Sequence, residues 1–377
     1  MKVLMLQDTK NYAGTEAHIL TLSTALSDLG SVNVEFLVPK GSELEIRGQA
    51  NGIRCHVCNQ NSFTFFLSAI SVVRNTRPKV IHAHNGRTAI ISVLVSKLLG
   101  CKVVATQHFL EPAHVSSTGI LGKVKRVLHQ WVGRQLDHRI CVSNAAFVNM
   151  QHRGDTIAKR AESYTVIHNG IDVKNVLSGV TKMRDDVRTD FRIPVSSKLV
   201  TCAARLEAEK NIVVLIDAFK IVVEQGTNAT LIIMGEGSQR MDLQQRIAEL
   251  RLSDIVVLAG FRTDVHSVIA ASDAFVLPAA HEPFGLVLLE AMSLGVPTIA
   301  ASSGGPLEII DDGVTGFLFR PNNPESLSKQ LLHVLNDTDD CGTLRRRGQQ
   351  VVMDEFSSST MANATSVAYS AVVAEGQ

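Results

Sequence analysis

The run Asp273-Ala-Phe-Val-Leu-Pro-Ala-Ala-His-Glu-Pro-Phe-Gly-Leu-Val-Leu-Leu-Glu-Ala-Met-Ser-Leu-Gly-Val-Pro-Thr-Ile-Ala-Ala-Ser-Ser-Gly-Gly305 decides the fold. Ala274 to Leu277 is a short apolar run bounded by Pro278, which has no N–H to give to a sheet, so it reads as a buried strand. From Phe284 to Leu294 the apolar residues recur at helical spacing, and Gly295 is placed to cap that helix. Val296 to Ala300 is a second short strand. Strand, helix and strand with short connections make a parallel βαβ unit. The loop holding His281, Glu282 and Pro283 then lies at the carboxyl end of the first strand, where open α/β sheets bind their ligands. The N–H groups of Phe284, Gly285 and Leu286 open the helix and suit an anion such as phosphate. Glu282 and Glu290 add two carboxylates beside that anion site, an arrangement matched to a diphosphate carrying a polyol at each end.

The pattern Glu282-Pro-Phe-Gly-Leu-x3-Glu290-Ala-Met, followed by Gly-Val-Pro and Ser-Gly-Gly, resembles the signature of the retaining glycosyltransferases of family 4 (glycosyl transferases group 1). That resemblance implies the GT-B fold, an α/β architecture of two Rossmann-like doubly wound domains facing across a cleft. It covers most of the chain and is densest from 198 to 320.

Outward from this stretch, the N-terminal part alternates strand and helix in a doubly wound pattern: Val3–Leu6, a helix over 17–29, Val34–Val38, a helix over 61–74, Lys79–His84, a helix over 88–99, and Val103–Thr106. Residues 1–175 are expected to form an acceptor-binding domain and 190–357 a nucleotide-sugar-binding domain. The polar stretch 173–196 reads as a linker, and a last helix at about 358–377 is expected to return to the first domain, as in GT-B relatives. Charge divides along the same line: residues 1–180 carry 20 Lys and Arg against 11 Asp and Glu, and residues 181–377 carry 17 against 25.

The motif Ala204-Arg-Leu-Glu-Ala-Glu-Lys210 resembles the family's Arg-Leu-x3-Lys, so Arg205 and Lys210 are expected to neutralise the leaving nucleoside diphosphate. The stretch Ile255 to Arg262 resembles the strand and loop that embrace the nucleobase, which places Phe261 and Arg262 at the donor, and the glycine turn at Gly235 is expected to be a donor contact as well. In the loop Asn11–Glu16 the family usually places two adjacent glycines; here Ala13 precedes Gly14, which is expected to keep the donor-facing role. Glu290 is assigned to the ribose hydroxyls, while Glu282 and His108 are the catalytic candidates, near the donor sugar. His82 and His84 share a strand face; with no third ligand evident, a packed, hydrogen-bonded pair is preferred to a metal site. No cofactor and no essential metal are expected, and Asp337-Thr-Asp339 reads as a solvated turn rather than a metal motif.

Six scattered cysteines read as reduced core residues, with Cys55 and Cys58 on a strand edge rather than a metal pair. The absence of a membrane-spanning apolar run makes a cytoplasmic protein the expectation. The stretch Ile120 to Leu136 is a basic amphipathic helix in which Lys123, Lys125, Arg126 and Arg134 border an apolar stripe. A core-facing helix with a solvated rim is one reading; contact with an anionic membrane surface or lipid-linked acceptor is the other. A nucleic-acid partner is not expected. Three other functions compete: a nucleotide-sugar 2-epimerase, a non-catalytic sugar-nucleotide-binding subunit, and a dinucleotide-dependent dehydrogenase. The last is weakened by the missing Gly-x-Gly-x-x-Gly after the first strand.

Overall fold

The computed structural model describes residues 1–110, 120–152, 164–336 and 341–375. The chain divides into two compact units, Met1–Gly170 with Ser358–Gln377, and Ile171–Ser357.

The first unit is built on strands β1 (Lys2–Leu6), β2 (Asn33–Pro39), β3 (Arg54–Cys58), β4 (Val80–Ala83), β5 (Lys102–Gln107), β6 (His138–Cys141) and β7 (Tyr164–Val166). They form one parallel sheet in the order β3-β2-β1-β4-β5-β6-β7. The period of two along β1 explains why both faces are covered. Val3 and Met5 point into a core shared with Ile19 and Leu22 of helix Gly14–Asp28 and with Met361 and Tyr369 of helix Ser358–Ala374. Leu4 and Leu6 point the other way, onto Phe65 and Ala69 of helix Ser62–Thr76 and Ile91 and Val95 of helix Gly86–Leu99. Cys55 and Cys58 lie on the edge strand β3 as free thiols, and burial pushes both up to about 11, so neither is a poised thiolate.

The second unit holds β8 (Lys198–Ala203), β9 (Ala229–Met234), β10 (Val256–Gly260), β11 (Ala274–Leu277), β12 (Thr298–Ala301) and β13 (Phe317–Phe319). This sheet is also parallel, in the order β10-β9-β8-β11-β12-β13. Val200, Leu231, Val276 and Ile299 face a core with Leu215 and Phe219 of helix Ile212–Glu224 and Leu327 and Leu331 of helix Pro324–Asn336. In each sheet the strand order turns back at one point, between β1 and β4 and between β8 and β11, and there the connections leave in opposite directions and open a crevice at the carboxyl ends.

Two segments differ from the sequence reading. Helix Glu43–Ala50, capped by Ser42 accepting from the Glu45 N–H, falls in a segment that polar composition hid. The stretch read as a linker carries two short helices, Val173–Ser178 and Arg184–Asp190, within the second unit. Its charged residues are tied down there: Arg184 donates to both carboxylate oxygens of Asp273 at 2.9 Å, and Arg188 donates to the carbonyls of Pro194 and Ser197. Polar composition marks a linker only when the polar groups stay in water. The Asp337–Asp339 turn lies outside the described residues.

Candidate active site

In the second unit the candidate residues gather on the loops after β8 and β11, the two strands flanking the turning point of the sheet. Lys210 closes a short 3-10 turn, Ala208–Lys210, on the loop after β8. Its ammonium donates to Glu282 Oε2 at 2.7 Å, with both side chains largely buried. The two residues assigned separately to diphosphate and sugar are thus each other's partner, and each holds the other's position.

Glycines shape the loop that carries Glu282. Gly285 (φ 109°) is the N-cap of helix Leu286–Ser293, a left-handed backbone that a side chain would strain. Gly305 donates its N–H to the Glu282 carbonyl at 2.9 Å, and a Cβ on Gly305 would fall 2.2 Å from Phe284 Cα. A Cβ on Gly304 (φ 64°) would fall 2.3 Å from the Glu282 carbonyl oxygen. The Ser-Gly-Gly turn after β12 is therefore the floor of the Glu282 loop. Phe284 itself is core, its ring 5.9 Å from that of Phe356, so only its backbone belongs to the anion site with Gly285 and Leu286. The first-turn N–H groups of this helix have no intrahelical carbonyl to bond, as at any helix start.

The other predicted residues are placed less centrally. Arg205 is exposed and paired with Glu209 at 2.7 Å. Glu290 is half-buried with His266 Nε2 3.7 Å away, a neighbour that sequence spacing could not reveal. Phe261 is exposed. Arg262 makes a two-pronged pair with Asp264 at 2.6 and 2.7 Å and stacks on Phe191, and it holds the Asp264 carboxyl down at about 2. Gly235 (φ 137°) is explained by packing: a Cβ there would sit 1.9 Å from the Ala204 carbonyl oxygen, and its N–H bonds the Gly260 carbonyl at 2.8 Å. Gly235 thus locks the loop after β9 onto the loop carrying Arg205.

In the first unit, Gly14 opens the helix after β1, with open space where its Cβ would stand. Ala13 is extended (φ −143°), so replacing the family's glycine costs no backbone strain. Its N–H is held by Glu16 Oε2 at 3.0 Å, while Glu16 Oε1 accepts from Gln7 at 2.6 Å and Thr9 at 2.5 Å. Glu16 was not singled out in the sequence, although a Glu three residues beyond a helix cap is the signal for it.

Histidines fill the carboxyl end of the same sheet. His82, on β4, is spent on packing: Nδ1 meets the Tyr369 hydroxyl at 2.6 Å and Nε2 the Thr106 hydroxyl at 2.7 Å. His84 and His108 follow β4 and β5, and His18 comes from the helix after β1; all three are buried. The expected pair was His82 and His84; His84 gathers instead with His108 and with His18, from a helix that sequence spacing does not connect to it. One ring nitrogen from each of His18, His84 and His108 lies within 4.8 Å of the others.

Burial lowers all four rings from 6.5: His18 to about 4, opposed by the neighbouring Asn169, and His82 to about 3, with His84 and His108 well below the ordinary value. After burial, neighbouring histidines add to the shift in His82, His84 and His108. Between 6.5 and about 4 the unfolded chain binds protons that these buried rings refuse. Their contribution to stability is full above pH 6.5 and is progressively lost as pH falls below it. The thermal midpoint, measured with a chelator present, is expected to drop steeply across that window; a flat midpoint would contradict the buried neutral cluster.

Two parallel α/β units, each with its candidate residues at the turning point of its sheet, define a GT-B protein. The glycosyl transferases group 1 profile matches residues 183–351 and the glycosyltransferase family 4 profile residues 12–175. The chain belongs to this glycosyltransferase family. It is similar to a glycogen synthase of Mycobacterium tuberculosis, 28% identical over 80% of this chain and 71% of that protein. It is also similar to the UDP-Gal:alpha-D-GlcNAc-diphosphoundecaprenol alpha-1,3-galactosyltransferase of Escherichia coli, 24% identical over 72% of this chain and 70% of that protein. Among solved structures, Anabaena Alr3699/HepE in complex with UDP-glucose superposes with a TM-score of 0.84 at 24% identity, covering 98% of this chain and 100% of that one.

Proposed function

We propose that this glycosyltransferase moves a sugar, with retention of anomeric configuration, from a nucleotide sugar to a glycan or lipid-linked acceptor. A UDP-sugar is the first choice of donor and a GDP-sugar the second. The observation that carries the reading is the Lys210–Glu282 pair beside the N-terminus of helix Leu286–Ser293: a cation, a carboxylate and a helix start on adjoining loops. Arg205, Lys210 and the N–H groups of Phe284, Gly285 and Leu286 would hold the departing diphosphate. Glu290 would bond the ribose hydroxyls, and Glu282 would orient the donor sugar. With two cations at the diphosphate, its charge is met by side chains and the donor chemistry needs no essential metal. UDP is favoured because the Escherichia coli relative is named for a UDP-sugar donor and the Anabaena structure holds UDP-glucose. That relative's diphosphoundecaprenol substrate favours a lipid-linked acceptor. Gly14 and His108 keep donor-facing roles on the resemblance.

A membrane surface at the first unit is part of the same proposal. Among the described residues no helix is long and apolar enough to cross a membrane. Helix Ile120–Gln135 exposes Val124, Val127 and Leu128, and the neighbouring helices expose Phe63, Leu67, Leu94 and Leu98. Exposed apolar residues on adjoining helices, with the basic balance of this half, suit an anionic lipid surface.

The test is a panel of UDP- and GDP-sugars followed by proton NMR without acceptor, in the presence and absence of anionic vesicles. Slow release of one nucleoside diphosphate is expected, the free sugar appearing first in the donor's own anomeric configuration, with protein sedimenting on the vesicles. An inverted sugar would reject retention, an isomeric nucleotide sugar would point to an epimerase, and protein left in the supernatant would reject the lipid surface.

A further inference from the structure

We propose that His266 is a positioning residue for donor binding, a role that rests on the assignment of Glu290 to the ribose. Its ring holds the Glu290 carboxylate in the orientation that receives the ribose hydroxyls, and Gly179 leaves the space in which that ring sits. Glu290 lies one turn into helix Leu286–Ser293, and His266 lies on the short helix Val265–Ala270 that precedes β11. His266 Nε2 stands 3.7 Å from Glu290 Oε2, with the two side chains 26% and 27% exposed. That separation is longer than a hydrogen bond, so an N–H there orients the carboxylate by electrostatics without occupying its lone pairs. A carboxylate has about four acceptor positions, enough for two vicinal hydroxyls and a neighbour besides. Asp264, two residues before His266, is taken by Arg262 and Lys182 at 2.6 and 3.0 Å, which leaves Glu290 as the carboxylate that the ring faces.

The ring is confined on its other side. A Cβ on Gly179 would stand 2.3 Å from His266 Nδ1. Gly179 has φ −72°, a backbone open to any residue, so glycine is needed here for room and not for conformation. The segment that carries it is fixed to the helix of His266: the buried Ser267 hydroxyl accepts the N–H groups of Thr181 at 2.9 Å and Lys182 at 3.2 Å. One edge of the imidazole therefore lies against a glycine and the other faces the carboxylate assigned to the donor. A glutamate side chain has several free torsions, and fixing them before the donor arrives removes an ordering cost from binding. Loss of His266 should weaken the part of donor affinity that comes from the ribose and leave the diphosphate part intact.

The experiment is calorimetry of the full-length protein with UDP and 2′-deoxy-UDP, with GDP and 2′-deoxy-GDP run alongside. The readout is the ratio of ribo- to deoxyribonucleotide affinity, because general damage to the fold weakens both alike and leaves the ratio unchanged. For the wild type the ratio should be about 10 or more, the worth of one hydrogen bond to a charged group. His266→Leu should reduce it to about 3 or less. His266→Gln, which returns an N–H near the position of Nε2, should restore it. Gly179→Ala, which pushes the ring from outside the site, should reproduce the leucine result and carries the test where His266→Leu does not fold. An unchanged ratio in His266→Leu, or in Gly179→Ala where that variant alone folds, would overturn the role, as would a ratio in His266→Gln as low as that with leucine. Glu290→Gln separates this failure from that of the underlying assignment. A narrowed ratio there with an unchanged one in His266→Leu rejects His266 alone. A wild type that binds ribo- and deoxyribonucleotide equally, binds neither, or keeps its ratio in Glu290→Gln rejects the ribose role of Glu290 and the role of His266 with it.

Discussion

Lys210→Ala is expected to lower kcat/KM for sugar transfer by about 10²–10³, the cost of removing one preorganised charge partner from a developing anion. The loss should appear in kcat as well as in kcat/KM, because negative charge grows on the diphosphate oxygen as the sugar leaves. Stability should fall as well, because the pair is largely buried, 18% and 12% exposed at the two side chains, and removing one partner leaves the other charge uncompensated, so rates are compared at temperatures where the variant is folded. Glu282→Gln is the companion variant. It keeps the side chain's shape and removes its charge, releasing Lys210 from its 2.7 Å partner. If Glu282 orients the sugar as a carboxylate, transfer should fall about 100-fold while donor binding falls less. Initial rates over a range of donor concentrations separate the two effects. An unchanged kcat in both variants would remove this pair from the chemistry.

Gly305→Ala is expected to be among the most damaging single methyls in the second unit. Gly305 has an ordinary helical backbone (φ −60°), so a general intolerance of alanine is not the reason. The added Cβ would stand 2.2 Å from Phe284 Cα and 2.6 Å from its carbonyl oxygen, and backbone atoms cannot rotate away as a side-chain tip can. Either the Ser-Gly-Gly turn or the Glu282 loop must move. A loss of about 3 kcal/mol follows from overpacking at this severity, a fall of roughly 6–12 °C in thermal midpoint for a unit of this size. Transfer should fall with it even at temperatures where the variant is folded, because the moving loop carries Glu282 and the anion-binding N–H groups. A midpoint within 2 °C of the wild type would show that the turn and the loop are less tightly joined than their contacts indicate.

The sequence made the strands, the parallel order of the central βαβ unit and the position of the Glu282 loop legible. These depend on local signals: short apolar runs, glycine stops and helical spacing between Phe284 and Leu294. What it left hidden depends on contacts between distant positions. Lys210 and Glu282 lie 72 residues apart, and nothing in either motif says that they bond each other. At Gly235 a close approach by backbone and a close approach by ligand impose the same requirement, no Cβ, and the sequence does not show the Ala204 carbonyl that would lie 1.9 Å from a Cβ there. His18 was passed over for a similar reason. A single histidine in a helix carries no periodic signal, and it acquires meaning only when β4 and β5 bring His84 and His108 to it. The 173–196 stretch failed in the opposite direction, because its charges are satisfied by partners such as Asp273 that lie far along the chain.

The first unit is made from two separate stretches, Met1–Gly170 and Ser358–Gln377. Helix Ser358–Ala374 supplies Met361, Ala362, Ala368, Tyr369 and Val372 to its core, and the Tyr369 hydroxyl bonds His82, 287 residues earlier. During synthesis, then, residues 1–170 emerge with one face of their sheet only partly covered and His82 Nδ1 lacking its Tyr369 partner until residues 358–374 have been made. Residues 171–357 have no such debt, since that unit is contiguous. The usual N-to-C order of domain completion is inverted for this chain: the unit that is made first is finished last.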